Sequence, residues 1–99
     1  QAPNAFGGAT ARQLYHIQTA ISQALPEKTR KHSAARGWVG KLVALVLDMN
    51  ADDPKDKAVI KKRIDTWLAT GALRTVELRD HNHEPREHVE VGNWAQLDQ

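Results

Sequence analysis

Apolar residues recur at helical spacing in three stretches of this chain and then switch to a spacing of two. Leu14, Ile17, Ile21 and Ala24 follow Thr10 and Gln13, which have the spacing of a capping box, and predict a first helix ending near Leu25 and Pro26. Trp38, Leu42, Leu45, Val46 and Met49 share one helical face, and Val39, Val43, Ala44 and Leu47 widen it nearly all the way round, so the second helix is expected to be buried. Gly37 and Gly40 cost helix propensity at its start and read as points of close backbone approach. The segment before it, Glu27 to Arg36, is polar and basic; it suits an extended piece or a lead into the helix, with Ser33 as a candidate cap. Asn50 to Asp52 is the expected turn into the third helix, Asp53 to Thr70. Asp53 suits the N-cap, Pro54 the first helical position and Asp56 the positive end of the helix dipole, while Gly71 provides a stop. Ile60, Ile64, Trp67 and Leu68 form its apolar stripe; Lys55, Lys62 and Thr66 point roughly the other way, flanked by Val59 and Arg63. Leu73 to Arg79 and His88 to Val91 then alternate, with Val76, Leu78, Val89 and Val91 as the expected inward set and Asp80 to Pro85 as the turn of a hairpin. One plausible register sets Glu77 against Glu90, a like-charge pair that disfavours it.

Helix, buried helix, short turn, basic helix and hairpin is the order of an α+β winged helix-turn-helix: a three-helix core with a C-terminal two-stranded β-hairpin wing. A two-stranded hairpin is marginal alone, so its inner face is expected to close the same core as the helices. Residues 1–8 carry Pro and Gly without periodicity and read as a flexible lead-in, in which Phe6 has somewhere to dock only if the domain offers it. The domain is expected over 9–92, with 93–99 a tail whose Trp94 packs back on it.

Ninety-nine residues suit one domain with a single core. The absence of cysteine excludes a disulfide framework and thiolate metal sites. No apolar run approaches the roughly 20 residues that span a bilayer, so no membrane partner and a cytoplasmic location are expected. A first residue other than methionine suggests a piece of a longer protein. The net charge of +2 is small, but it is unevenly placed. Lys28 to Lys41 holds five Lys or Arg and no acid, Lys55 to Arg63 holds five against Asp56, and Glu77 to Glu90 holds five acids with Arg79, Arg86 and three histidines.

Gly37-Trp38-Val39-Gly40-Lys41, Lys61-Lys62-Arg63 through Thr66-Trp67-Leu68-Ala69-Thr70-Gly71-Ala72-Leu73, and Val89-Glu90-Val91-Gly92 together resemble the C-terminal winged-helix segment of prophage and plasmid replication ATPases of the hexameric helicase type. The resemblance spans about residues 10 to 92. It implies an accessory module for nucleic acid or a replication partner, with Trp38, Gly40, Trp67, Gly71 and Leu73 at fold-defining positions and Lys61, Lys62 and Arg63 on the basic helix. Relatives tend to carry lysines at the wing tip, where this chain has Asp80-His81-Asn82-His83-Glu84.

No phosphate-binding Gly-x-x-x-x-Gly-Lys-Ser/Thr loop, HExxH motif or nucleophile elbow is present, and no enzyme activity or cofactor is expected. DNA is the expected partner. Arg30, Lys31, Arg36, Lys55, Lys57 and Lys61 would dock on phosphates, Lys62, Arg63 and Thr66 would lie nearest the groove, and Arg79, His81 and His83 would approach from the wing. Protonation of the wing histidines would make it less acidic at low pH. His81, His83 and His88 beside Glu84 have a spacing that permits a divalent cation without demanding one, and no metal is expected. Two further functions share the fold: a protein-docking module for the parent ATPase or another replication protein, and a stand-alone transcriptional regulator. The latter needs a dimer to read paired half-sites, and no extra dimerisation helix is visible.

Overall fold

The capping box at Thr10 forms as its spacing predicts. Thr10 Oγ1 accepts from the Gln13 amide at 3.0 Å and Gln13 Oε1 accepts from the Thr10 amide at 2.9 Å, opening helix α1, Ala11–Gln23. The computed structural model describes residues 10–96; the lead-in with Phe6 lies outside the described residues, as do 97–99 of the tail. The other elements are a 3-10 turn Pro26–Lys28, helix α2 Gly40–Leu47, helix α3 Pro54–Thr70 and the strands β1 Leu73–Arg79 and β2 Pro85–Val91. The fold is α+β, with three helices and one antiparallel hairpin. No helix among the described residues is long and apolar enough to cross a membrane.

One core joins the three helices and the hairpin. Leu14, Ile17 and Ile21 of α1 meet Val43 and Ala44 of α2, Ile60, Ile64 and Trp67 of α3, and Leu73 and Val89 of the hairpin. Each fully buried Val, Leu or Ile contributes roughly 1.5–3 kcal/mol relative to exposure, so the hairpin gains from the helices the stability it lacks alone. Trp38 and Trp67 are both buried, which makes them core residues rather than stacking platforms. Asp53 caps α3 by accepting from the Asp56 amide at 3.2 Å, Pro54 occupies its first turn, and Gly71 leaves the helix at φ 87°, as the sequence requires.

Between α1 and α2 the chain takes the extended option. The Val89 amide donates to the Thr29 carbonyl at 2.8 Å and the Lys31 amide to the Glu87 carbonyl at 3.0 Å, while Arg30 turns its own backbone groups to Gly37 and Val39, at 3.0 and 2.8 Å. Residues 29–31 therefore lie beside β2, with 37–39 beyond them. Ser33 does not cap α2: the helix starts at Gly40 behind Val39, because 37–39 are held by the Arg30 backbone. Gly37 is needed there, since a Cβ would lie 1.6 Å from the Glu27 carbonyl oxygen.

Two packing expectations are overturned. Helix α2 buries Gly40, Val43 and Ala44, and Leu42, Val46 and Leu47 pack partly against the core; of the predicted apolar set Leu45 alone is left out, 79% exposed, because an eight-residue helix touching α1 and α3 on one side leaves its other side uncovered. Met49 lies beyond this helix, which Asp48 ends in the left-handed region at φ 56°. The inward set also splits. The register pairs Thr75 with Val89 and Val76 with His88, so Val76 and Leu78 lie on the face opposite Val89 and Val91. Glu90 stands opposite Arg74 and pairs with it, and the like-charge juxtaposition falls instead on Glu77 and Glu87, both exposed, with Glu87 3.9 Å from Lys31.

Candidate nucleic-acid interface

The outward side of α3 is built by the same periodicity that buries Ile60, Ile64 and Trp67. Lys55, Lys61 and Lys62 are exposed, and Arg63 and Thr66 are half-buried at the edge of the stripe. Thr66 donates its hydroxyl proton to the Lys62 carbonyl at 3.0 Å, so that its oxygen retains only its acceptor role toward anything else. The ion pairs among the described residues are Lys31–Glu87, Arg74–Glu90 and Arg86 with Asp80 and Glu84; none uses a cation of α3. Of the acids on α3, Asp56 accepts from the Asn50 amide at 2.8 Å and so holds the turn from α2. Asp65, one turn beyond Lys61 and Lys62, is exposed and makes no ion pair within 4.0 Å.

Lys57 differs from its neighbours. It is half-buried with Nζ 5.7 Å from the centroid of the Trp38 ring, a cation–π contact that ties the start of α3 to the segment before α2. Trp38 also lines an open cleft of about 920 Å³ between that segment, α2 and the hairpin tip. Arg30, Arg36, Arg79 and His81 line this cleft, joined by Lys28 and Lys41. The predicted residues thus fall into two groups: Lys55, Lys61, Lys62, Arg63 and Thr66 on α3, and Arg30, Arg36, Arg79 and His81 in the cleft, with Lys57 between them. Lys31 and His83 belong to neither: Lys31 faces Glu87 at 3.9 Å and His83 is exposed on the hairpin loop outside the cleft lining.

The hairpin tip is organised by Asp80. Its Oδ1 accepts from the amides of Asn82 and Glu84 at 2.9 and 3.0 Å, and its Oδ2 lies 3.2 Å from Arg86 Nε. The Glu84 amide is the strongest of the influences that hold this carboxyl below its ordinary range, aided by the Asn82 amide and Arg86. Arg79 donates from Nη1 to the His83 carbonyl at 2.7 Å, and His83 takes a left-handed φ of 62°. Arg79 and Arg86 are thereby engaged in holding the loop, and His81 and His83 are exposed on it.

His88 does not join the other two imidazoles. It is buried in β2 with Nδ1 3.2 Å from the Thr29 hydroxyl, which itself donates to the Pro26 carbonyl at 3.1 Å. Burial, and then the Arg30 charge, push its pKa down, against an opposing hydrogen bond with the Pro26 carbonyl. Among the described residues no three His, Asp or Glu side chains are gathered as a metal would need. Lys28 and Lys41, which bound the first basic block, and Leu42 and Leu45, expected in the core, are the further residues that the cleft brings together. What gathers them is the pairing of 29–31 with 37–39, for which the glycine at 37 was the available signal. No family model matches this chain, and no curated protein or solved structure matches it significantly.

Proposed function

We propose that this chain is a winged helix-turn-helix module that binds DNA through α3, with the hairpin as its wing. The observation that carries the reading is the outward face of α3, where Lys55, Lys61, Lys62 and Arg63 have no acidic partner within 4.0 Å among the described residues. The topology supports it: a short extended segment, 29–31, lies between the first two helices in sequence and pairs with the second strand of the hairpin. Lys55 and Lys61 dock on phosphates, and Lys62, Arg63 and Thr66 face the groove, where the Arg63 fork and the Thr66 oxygen have base edges to read. The module has no activity of its own and, by the resemblance described above, serves a replication ATPase.

Fluorescence anisotropy with a labelled duplex, titrated with salt, tests this. Neutralising a phosphate contributes about −0.9 to the slope of log K against log salt, so Lys62→Ala with Arg63→Ala should flatten the slope by about 1.8. An unchanged slope takes α3 out of the interface, and absence of duplex binding at low salt ends the proposal.

A further inference from the structure

The cleft beside α2 has a chemistry that phosphate alone does not call for. Lys28, Arg30, Arg36, Lys41 and Arg79 line it, against the two carboxylates of Glu27 and Asp80, and the Asp80 carboxylate is already taken up by two amides and Arg86. Lys41 Nζ is anchored on the Arg36 carbonyl at 2.7 Å, which fixes one positive charge on the wall. Arg30 also lines the wall; its Nε is buried without a hydrogen-bond partner, so that the charge of this guanidinium is not neutralised at that atom.

Between these cations lie Leu42 and Leu45 of α2 and the edge of Trp38. Leu45 is the most exposed of the large apolar residues described, at 79%, and it stands beside a second leucine rather than alone on a polar surface. A duplex, whose bases are stacked inside, would use the charges and leave the leucines wet. A protein segment with carboxylates around a leucine or phenylalanine would use both.

We infer that this cleft is a docking site for an acidic protein segment that seats one or two large apolar side chains on Leu42 and Leu45 and lays its carboxylates against Arg30, Arg36 and Lys41. Apolar burial supplies the anchor and the arginine forks fix the carboxylates. The site is separate from the outward face of α3, so the module can hold a protein through one surface and DNA through the other. The inference does not depend on the DNA reading.

The probe is a fluorescein-labelled peptide of two leucines flanked on each side by three aspartates, with a control in which serines replace the leucines. Its binding is followed by anisotropy at low salt. The leucine peptide should bind about tenfold more tightly than the serine peptide, as expected for burying a leucine-sized surface. Leu45→Ser should erase that difference, and Arg36→Glu should weaken both peptides about tenfold or more. Both positions are exposed, so each variant should keep the wild-type urea midpoint. Lys62→Ala with Arg63→Ala should weaken duplex binding and leave the leucine peptide untouched, which separates failure of this site from failure of α3. The inference is overturned if the leucine peptide does not bind, if Leu45→Ser and Arg36→Glu leave its affinity unchanged, or if a thymidine oligonucleotide depends on those two residues and displaces it.

Discussion

Replacing Gln18 by leucine tests whether the hairpin base and the tail are fastened to α1 as the structure has them. Gln18 is wholly buried beside Leu14, Ile17 and Ile21 of α1, and both of its side-chain N–H donors and its carbonyl oxygen are directed at one corner. Its Nε2 donates to the carbonyls of Ala72 and Asn93, both at 2.9 Å, and its Oε1 accepts from the Ala95 amide at 2.8 Å. Three bonds at a net of about 1 kcal/mol each set the loss near 3 kcal/mol. Two features lower it: the Ala72 carbonyl keeps the Gly92 amide at 3.0 Å, and leucine returns part of the transfer energy. A loss of about 2–3 kcal/mol remains, or roughly 10–20 °C in Tm for a domain of this size. Urea unfolding followed by circular dichroism measures it, with an unchanged m-value showing that both variants unfold from equally compact states. A Gln18→Leu variant within about 0.5 kcal/mol of the wild type would refute the clamp, because residues left without partners by the change cannot then have been held by Gln18.

His88 makes stability depend on pH in one direction. Its pKa is lowered in the fold, so the unfolded chain binds the proton more readily; its contribution is complete above the ordinary histidine value of about 6.5 and is lost as pH falls below it. Urea midpoints measured from pH 7.5 to 5 should fall for the wild type and fall less for His88→Gln; equal slopes would contradict this. Gly37→Ala should cost more than about 2 kcal/mol in the same assay, because the new Cβ would lie 1.6 Å from the Glu27 carbonyl oxygen and the backbone there must move. A neutral Gly37→Ala would mean that the approach of 37–39 to the 3-10 turn is not as tight as described.

The helices were legible where local chemistry and burial agree. Thr10 with Gln13, and Asp53 with Pro54 and Gly71, are end signals whose physics is contained within a few residues. Helix α2 shows the limit of periodicity: an apolar residue at every face cannot say which faces will meet a partner, and the decision was made by α1 and α3 on one side only, which left Leu45 outside. The hairpin register was illegible for a related reason. Because a one-residue slip exchanges the faces, Val76 and Leu78 could be assigned to the same side as Val89 only by ignoring the loop, whose length is set by five residues that Asp80 ties together. Residues 29–31 had no alternation to betray them; they are placed by backbone pairing with β2 and by the contacts of Thr29 with His88 and Lys31 with Glu87, partners far away in sequence. The cations of α3 were readable from the helix, whereas the cleft needed three distant segments to meet before Arg30, Lys41 and Arg79 could be seen as one surface.

A net charge of +2 hides a separation of charge that bears on how a polyanion would be approached. Helix α3 carries five Lys or Arg against Asp56 and Asp65, while the hairpin from Leu73 to Val91 carries Arg74, Arg79 and Arg86 against five acids. The hairpin also spends its cations on itself: Arg74 on Glu90, Arg86 on Asp80 and Glu84, and Arg79 on the His83 carbonyl. In the field of a duplex the two elements are therefore driven in opposite directions, α3 inward and the hairpin strands, which hold Glu77, Glu87 and Glu90, outward, while the tip, with Arg79 and Arg86 against Asp80 and Glu84, is balanced. On the proposed reading the tip is not a phosphate clamp. Steering by α3 alone, with the wing turned aside, follows from where the acids lie, and it leaves the cleft between hairpin and α2 open toward a partner that brings carboxylates of its own.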